Sequence, residues 1–97
     1  MDLRFTDEAN NDLNHIHQFL IQVGVAHASD IMSAIIKAAD NLRTFPRMGL
    51  PVAMLKQADE VRDYYYKDFC LRYLISADCI YILRIWHQRE NERNEPT

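Results

Sequence analysis

The sequence is poor in glycine and has no long apolar run. Its two glycines, Gly24 and Gly49, lie far apart, which excludes a glycine-rich phosphate loop, and there is neither a nucleophile elbow nor a Cys-x-x-Cys pair. We therefore expect no nucleotide-dependent enzyme and no cofactor. The longest apolar stretches, such as 79–83, are far shorter than the roughly 20 residues of a membrane span. Because residues 1–4 also lack the layout of a signal peptide, we expect a cytoplasmic protein without membrane contact.

Cysteine and metal-ligand patterns are equally scarce. The two cysteines, Cys70 and Cys79, are too few for a disulfide-rich secreted scaffold. His15 and His17 are two residues apart on a predicted helix, so they point in different directions and cannot chelate one metal as an i, i+4 pair would. The sequence therefore predicts free thiols and no metal site.

Positive charge is too sparse for a general nucleic-acid coat. The net charge is −3, with five basic and eight acidic residues in 1–60 and six of each in 61–97. Phosphate binding draws on many Lys and Arg side chains. We therefore expect no sequence-specific DNA binding by this chain alone, and any basic site must be local and lie in the C-terminal third.

Two amphipathic helices are predicted in the first half. Thr6 is a good N-cap, and Asp7 and Glu8 complement the dipole of the first turn. Apolar residues recur at helical spacing over 9–23, and again over 28–45 until Pro46 makes continuation unfavourable. The short connection at Gly24-Val25 allows only a tight reversal, so the two runs form an antiparallel helical hairpin.

The second half is rich in β-formers. Residues 1–5 are a short extended segment, and 46–60 are predicted as a loop with one helical turn around Met54. Three strands follow at Val61–Tyr66, Phe69–Ser76 and Cys79–His87, joined by two-residue turns. The predicted class is α+β, with an N-terminal strand and a helical hairpin on one face of a mainly antiparallel sheet (β-α-α-β-β-β). Residues 1–87 form one domain, and 88–97 are a polar, flexible tail.

A two-residue turn at Ala77-Asp78 sets the register of the last hairpin. It pairs Ser76 with Cys79, Leu74 with Tyr81, Arg72 with Leu83, and Cys70 with Ile85. Facing the helices are then Phe69, Leu71, Tyr73, Ile75, Ile80, Ile82 and Trp86, with Arg84 reaching out to solvent. The other face carries Cys70, Arg72, Leu74, Ser76, Tyr81, Leu83 and Ile85. Cys70 and Cys79 lie on the order of 20 Å apart, which excludes a disulfide.

The predicted outer face carries a small basic cluster. Arg72 projects from it, His87 and Arg89 follow if extension continues, and Arg62 is a candidate from the adjoining strand. Exposed arginines on a sheet are also common as ordinary solvation and edge protection, so the pattern alone favours no function.

Five sequence segments together resemble the RelE/ParE toxin superfamily, in the family's order and over nearly the whole chain. They are Leu3-Arg4-Phe5-Thr6 with Ala9 and Asp12-Leu13, Asn41 to Gly49, Val61-Arg62, Leu71 to Ile75, and Ile82 to Arg89. The resemblance implies a RelE/ParE-like fold. Two subfamilies, RelE-like and ParE-like, differ in function, and individual residues distinguish them.

RelE-like members are ribosome-dependent mRNA endonucleases, whose chemistry needs a base, an acid and cations. Where the resemblance places the nuclease's paired lysines, this chain has Asp63 and Tyr65. No Tyr or Phe follows Trp86 to match the nuclease's C-terminal aromatic residue. Arg72, His87 and Arg89 would be the catalytic residues of a RelE-like enzyme, and they are an incomplete set.

ParE-like members share the fold without that nuclease set. The Phe-Pro-x-x-Gly helix ending and the Val-Arg strand start are similar to theirs. The resemblance implies a toxin of a type II toxin–antitoxin system that inhibits DNA gyrase by binding, without catalysis, and is neutralised by a ParD-type antitoxin. On this interpretation Arg62, Arg72, His87 and Arg89 are the target-binding candidates. The alternatives are the RelE-like endonuclease and a non-toxic partner-binding domain of the same fold.

Overall fold

A computed structural model of the chain describes residues 1–55 and 59–89. Two helices lie on one face of a five-stranded sheet, which confirms the predicted α+β class. The elements are β1 (Asp2–Phe5), α1 (Asp7–Gln22), α2 (Ala28–Asn41), β2 (Leu50–Met54), β3 (Glu60–Tyr66), β4 (Phe69–Ser76) and β5 (Cys79–His87). Of the predicted tail, Gln88 and Arg89 are helical, and 90–97 lie outside the described residues. Neither described helix is long and apolar enough to cross a membrane.

The helix starts and stops follow from local chemistry. The predicted N-cap is confirmed, because the Thr6 hydroxyl oxygen accepts from the Ala9 amide at 3.1 Å. After α1, Gly24 adopts a φ of 77°, a left-handed conformation that glycine takes without steric cost. The second helix ends at Asn41, four residues before the predicted Phe45, and the chain continues through turns towards Pro46.

The sheet has the order β1-β5-β4-β3-β2. The first strand runs parallel to β5, and the other neighbours are antiparallel. Both predicted hairpin turns are confirmed, with φ of 52° at Lys67 and 51° at Ala77, as the primed two-residue turns of hairpins require. The two cysteines are free, as predicted.

The second strand corrects the prediction of a loop with a helical turn around Met54. Residues Leu50–Met54 pair with β3, with a register shift between Pro51 and Ala53. All five residues are exposed, so the strand lacks the alternation by which half-buried strands are recognised. Proline is tolerated there because the strand lies at the sheet edge, where one side of its backbone has no neighbouring strand.

The core lies between the two helices and one face of the sheet. Its fully buried members include Ile35 from the second helix, Leu42 at the C-cap of that helix, and Tyr73 from the sheet. Six of the seven residues predicted to face the helices are buried there: Phe69, Leu71, Tyr73, Ile75, Ile80 and Ile82. The prediction for Trp86 is wrong, and Ile85, predicted on the other face, is in the core with 2% exposure.

A β-bulge at Leu83 explains both errors. The predicted pairs Ser76–Cys79 and Leu74–Tyr81 are confirmed, but the register then shifts so that Arg72 lies opposite Arg84 and Leu71 opposite Ile85. The predicted pairs Arg72–Leu83 and Cys70–Ile85 are therefore wrong. One extra residue reverses which face every later side chain occupies.

The first helix holds this bulge in place. The half-buried Asp12 carboxylate accepts from the Ile85 amide at 2.9 Å and from the Arg84 guanidinium at 2.8 and 3.1 Å. Upstream, Thr6 bonds the carbonyls of Ile82 and Leu83. Polar groups that a bulge leaves outside the strand ladder thus find partners on α1, which offsets the cost of burying them.

Candidate functional site on the open sheet face

The sheet face turned away from the helices, here called the open face, combines apolar, aromatic and charged side chains. Directly opposed residues on neighbouring strands share a face, so the register assigns its members. They are Leu50 and Ala53 of β2, Val61, Asp63 and Tyr65 of β3, Cys70, Arg72, Leu74 and Ser76 of β4, and Cys79, Tyr81 and Trp86 of β5. Most are half-buried. Arg84, opposite Arg72 at the bulge, instead reaches Asp12 of α1. Both helices pack on the opposite face, so within residues 1–55 and 59–89 no helix covers this one.

Arg72 is fixed at the centre of the open face. Its Nε and Nη2 donate to the two carboxylate oxygens of Asp63 at 2.8 and 2.9 Å, and its guanidinium lies 5.2 Å from the centre of the Trp86 ring. The carboxylate side chain is 7% exposed and the arginine side chain 39%. The hydrogen bonds that Arg72 donates to Asp63 raise the pKa of Arg72 above its usual value, so the arginine stays charged and is held in one orientation.

Three residues form one row across the face, because Tyr65 pairs with Cys70 and Cys70 with Trp86. Burial raises the pKa of the Cys70 thiol from 9.0 to about 12, and Asp63 adds to the rise. Desolvation likewise raises the pKa of Tyr65 above 10.0. Both groups are therefore neutral at pH 7, and the thiol is not a nucleophile at that pH.

His87 does not join this cluster, which corrects the predicted grouping. After the bulge its ring lies edge-on to Phe69, a core residue, with ring centres 5.4 Å apart, so it lies on the helix side of the sheet. Arg89 is exposed and follows the end of β5, where its amide donates to His87 Nδ1 at 3.1 Å. The extension that would have placed it beside Arg72 is replaced by a helical turn.

Arg62 is also directed away from the open face. It lies opposite Tyr73, and its Nη1 donates to the carbonyls of Gly49 at 2.6 Å and Arg47 at 3.3 Å. The Glu60 carboxylate lies 3.7 Å from Nη2 of Arg62, and the Arg62 side chain is 14% exposed. These contacts hold the chain that leads into β2. Of the four predicted target-binding residues, the open face holds Arg72 alone.

The Phe-Pro-x-x-Gly segment meets the sheet at Tyr73. The buried hydroxyl donates to the Pro46 carbonyl at 2.6 Å and accepts from the Gly49 amide at 3.0 Å. A Cβ on Gly49 would lie 2.8 Å from the Tyr73 ring and 2.9 Å from the Asp63 carbonyl oxygen. Position 49 therefore has no room for a side chain, which explains the glycine. The segment packs against the backbone of Asp63, the residue whose carboxylate binds Arg72.

The sequence pattern missed two residues of the site. Trp86 was assigned to the helix side, and Asp63 was noticed only as an acid where the nuclease has a base. A signal for Asp63 existed, because a carboxylate at mid-strand beside a predicted arginine invites an ion pair. Within β5 the one signal for the bulge is Arg84, a charged residue that the regular register places on the helix side. Among residues 1–55 and 59–89, no three His, Cys, Asp or Glu side chains gather as a metal site would need.

Comparisons with known proteins agree with this architecture. A family model described as the ParE toxin of the type II toxin–antitoxin system parDE matches residues 3–92. A solved structure described as the chromosomal ParDE TA system from P. aeruginosa superposes with a TM-score of 0.70 at 22% sequence identity, covering 90% of this chain and 95% of that chain. At that identity the likeness establishes the fold alone. No curated protein matches the chain.

Proposed function

The chain belongs to the family of ParE toxins of type II toxin–antitoxin systems, as its sequence resemblance predicted, and on that premise we propose that it inhibits DNA gyrase by binding. A ParD-type antitoxin neutralises it in the same cytoplasm. The toxin supplies a contact surface and no chemical step.

The Arg72–Asp63 ion pair carries this proposal. Endonuclease chemistry needs a free base to activate the 2′-hydroxyl, and the resemblance places a nuclease lysine where Asp63 stands. Here both carboxylate oxygens are engaged by Arg72. The neighbouring groups, Cys70 and Tyr65, have raised pKa values, so neither is ionised at pH 7 and neither supplies a base. The open face thus favours recognition over acid–base catalysis.

The composition of the open face suits a protein contact. Trp, Tyr and Arg are the residue types that contribute most at protein interfaces, and Trp86, Tyr65 and Arg72 lie on adjacent strands. Arg72 is already oriented by Asp63, so it loses little conformational freedom when a partner binds. Its Nε and Nη2 each donate to Asp63, and Nη1, which has no hydrogen-bond partner among the described residues, is available to a ligand oxygen.

A gyrase supercoiling assay with purified protein tests the proposal. The wild-type chain should inhibit supercoiling, and Trp86→Ala and Arg72→Ala should each weaken inhibition by a factor of about 30 or more, the effect of a residue worth 2 kcal/mol or more at an interface. Lys37→Ala, which removes an exposed cation from α2, is the matched control and should leave inhibition unchanged. Circular dichroism verifies that each variant is folded.

Growth arrest in cells separates Arg72 from Arg89, two of the four predicted contact residues. Replacing Arg72 and Arg89 together by alanine should relieve arrest, and Arg72→Ala should account for most of the relief because Arg89 lies outside the open face. Unaffected supercoiling together with codon-dependent mRNA cleavage on ribosomes would favour the endonuclease. A chain that does neither, and arrests no growth without an antitoxin, would be the non-toxic binding domain.

A further inference from the structure

The open face continues onto β1, the edge strand next to β5. Arg4 lies in register with Tyr81 of β5, and residues in register on neighbouring strands project from the same face. The two neighbours of Arg4 in its own strand, Leu3 and Phe5, pack against the core on the helix side. Since side chains alternate along a strand, both observations place Arg4 on the open face.

Arg4 lies at one end of a row of residues that crosses the whole sheet. The next four strands contribute, in order, Tyr81, Leu74, Val61 and Ala53. Arg72 lies two residues from Leu74 along β4, and β4 is two strands away from β1. With strands about 4.8 Å apart and a rise of about 3.4 Å per residue, the Cα atoms of Arg4 and Arg72 are about 12 Å apart. Both arginines thus belong to one surface.

The two arginines differ in how far they are engaged within the chain. Arg72 is half-buried, and its Nε and Nη2 donate to Asp63. Arg4 is exposed, and within residues 1–55 and 59–89 no ion pair or side-chain hydrogen bond engages its guanidinium. A guanidinium is a planar fork of N–H donors that fits a carboxylate. Arg4 can therefore offer all its donors to a partner.

The composition of this surface favours a protein partner over DNA. The residues between the two arginines, Tyr81 and Leu74, are half-buried and largely apolar, and an apolar centre with a charged rim is typical of protein interfaces. Binding to phosphates draws on several cations. Among the strand residues that the register assigns to this face, the acids Asp2 and Asp63 equal the two arginines in number.

On the premise of the proposed gyrase inhibition, we propose that Arg4 is a second contact residue of the open face and attracts a carboxylate on the protein surface of gyrase. An exposed charge at the rim of an interface acts mainly on the association rate, whereas an oriented, half-buried one such as Arg72 acts mainly on dissociation. Asp2 lies two residues before Arg4 on the same face and repels the same carboxylate. The two charges of β1 therefore change the association rate in opposite directions.

Surface plasmon resonance with the full chain and immobilised gyrase, in the absence of DNA, tests the proposal. At about 0.01 M salt, where charges act over about 30 Å, Arg4→Glu should slow association by a factor of about 10, and Asp2→Asn should accelerate it. Arg4→Lys keeps the charge and should resemble the wild type. Arg72→Ala should instead accelerate dissociation. At about 1 M salt, where the range falls to about 3 Å, the difference between Arg4→Glu and the wild type should disappear.

Lys37→Glu is the matched control, because it makes the same change of charge at an exposed position of α2, on the helix side of the sheet. It should alter association far less than Arg4→Glu does. Circular dichroism verifies that each variant is folded.

The charge on an edge strand can also serve only to discourage pairing with another strand. In that case Arg4→Glu would associate with gyrase like the wild type, which would overturn this proposal and leave the proposed inhibition intact. Equal losses for Arg4→Glu and Lys37→Glu, or a loss that persists at high salt, would overturn it too. A loss seen only when gyrase holds DNA would make a phosphate the partner, against the proposal. A wild-type chain that neither binds nor inhibits gyrase would refute the proposed function as well.

Discussion

Removing the Asp12 carboxylate should destabilise the protein far more than removing its arginine partner. Asp12 lies on α1 and accepts from two places on β5, the exposed Arg84 guanidinium and the half-buried Ile85 amide. Asp12→Ala deletes both interactions, whereas Arg84→Ala deletes only the ion pair. The difference between the two losses in the free energy of unfolding therefore measures how much the hydrogen bond to the Ile85 amide stabilises the bulge at Leu83.

The two contributions differ in size because their solvent exposure differs. The Arg84 side chain is 58% exposed, and an ion pair of that kind contributes about 0.2–1 kcal/mol. A half-buried amide left without an acceptor costs about 1–3 kcal/mol. We therefore expect Asp12→Ala to lower the free energy of unfolding by roughly 2–3 kcal/mol, and Arg84→Ala by less than about 1 kcal/mol.

Urea unfolding followed by the fluorescence of Trp86, the one tryptophan, measures both values. In thermal unfolding of a domain of this length, 1 kcal/mol corresponds to about 4–8 °C in Tm, so that measurement should also separate the two variants clearly. Asp12→Asn keeps an oxygen for the Ile85 amide and should resemble Arg84→Ala. Equal losses for Asp12→Ala and Arg84→Ala would refute the reasoning, because the ion pair would then outweigh the backbone bond.

Further predictions concern two buried groups of the sheet, the Tyr73 hydroxyl and the Cys70 thiol. Tyr73→Phe should lower the free energy of unfolding by about 2–4 kcal/mol, because it leaves the Pro46 carbonyl and the Gly49 amide without their partner; urea unfolding measures this, and a loss below about 0.5 kcal/mol would contradict it. Cys70 should resist alkylation at pH 8 while the half-exposed Cys79 reacts. Because folding raises the pKa of Cys70 from 9.0 to about 12, its contribution to stability is complete below pH 9 and is lost as the pH rises towards 12. Unfolding measured across this window should show a smaller decline for Cys70→Ala, and an equal decline would assign the effect elsewhere.

Periodicity predicted most of the fold because most elements bury one face. The stripe on α1, the alternation in β4 and the turns at Lys67 and Ala77 each follow from local chemistry. The edge strand β2 escaped prediction for the same reason. Both of its faces are exposed, so its sequence carries no period, and Pro51 and Gly49 favour a loop.

The site was less predictable because it depends on one long-range interaction. The bulge that brings Trp86 beside Arg72 and turns His87 away is held by Asp12, more than 70 residues earlier in the chain. Within β5 a regular register places the charged Arg84 on the helix side, and this misfit alone does not say where an extra residue lies. Asp12, next to the apolar stripe of α1, indicates the bulge only when its partner on the sheet, the Ile85 amide, is known.

The segments that make the family recognisable serve the fold more than the function. The glycine of the Phe-Pro-x-x-Gly ending is required by its close approach to Tyr73, and the arginine of the Val-Arg start holds the carbonyl of that same glycine. Neither Gly49 nor Arg62 lies on the open face. A substitution on the open face can therefore leave the contacts of both motifs intact. The pair Arg72 and Asp63, rather than either motif, is then the feature by which contact with gyrase should be judged. If exchanging Asp63 for lysine gave mRNA cleavage on ribosomes without loss of the fold, the open face would be shown to decide the target.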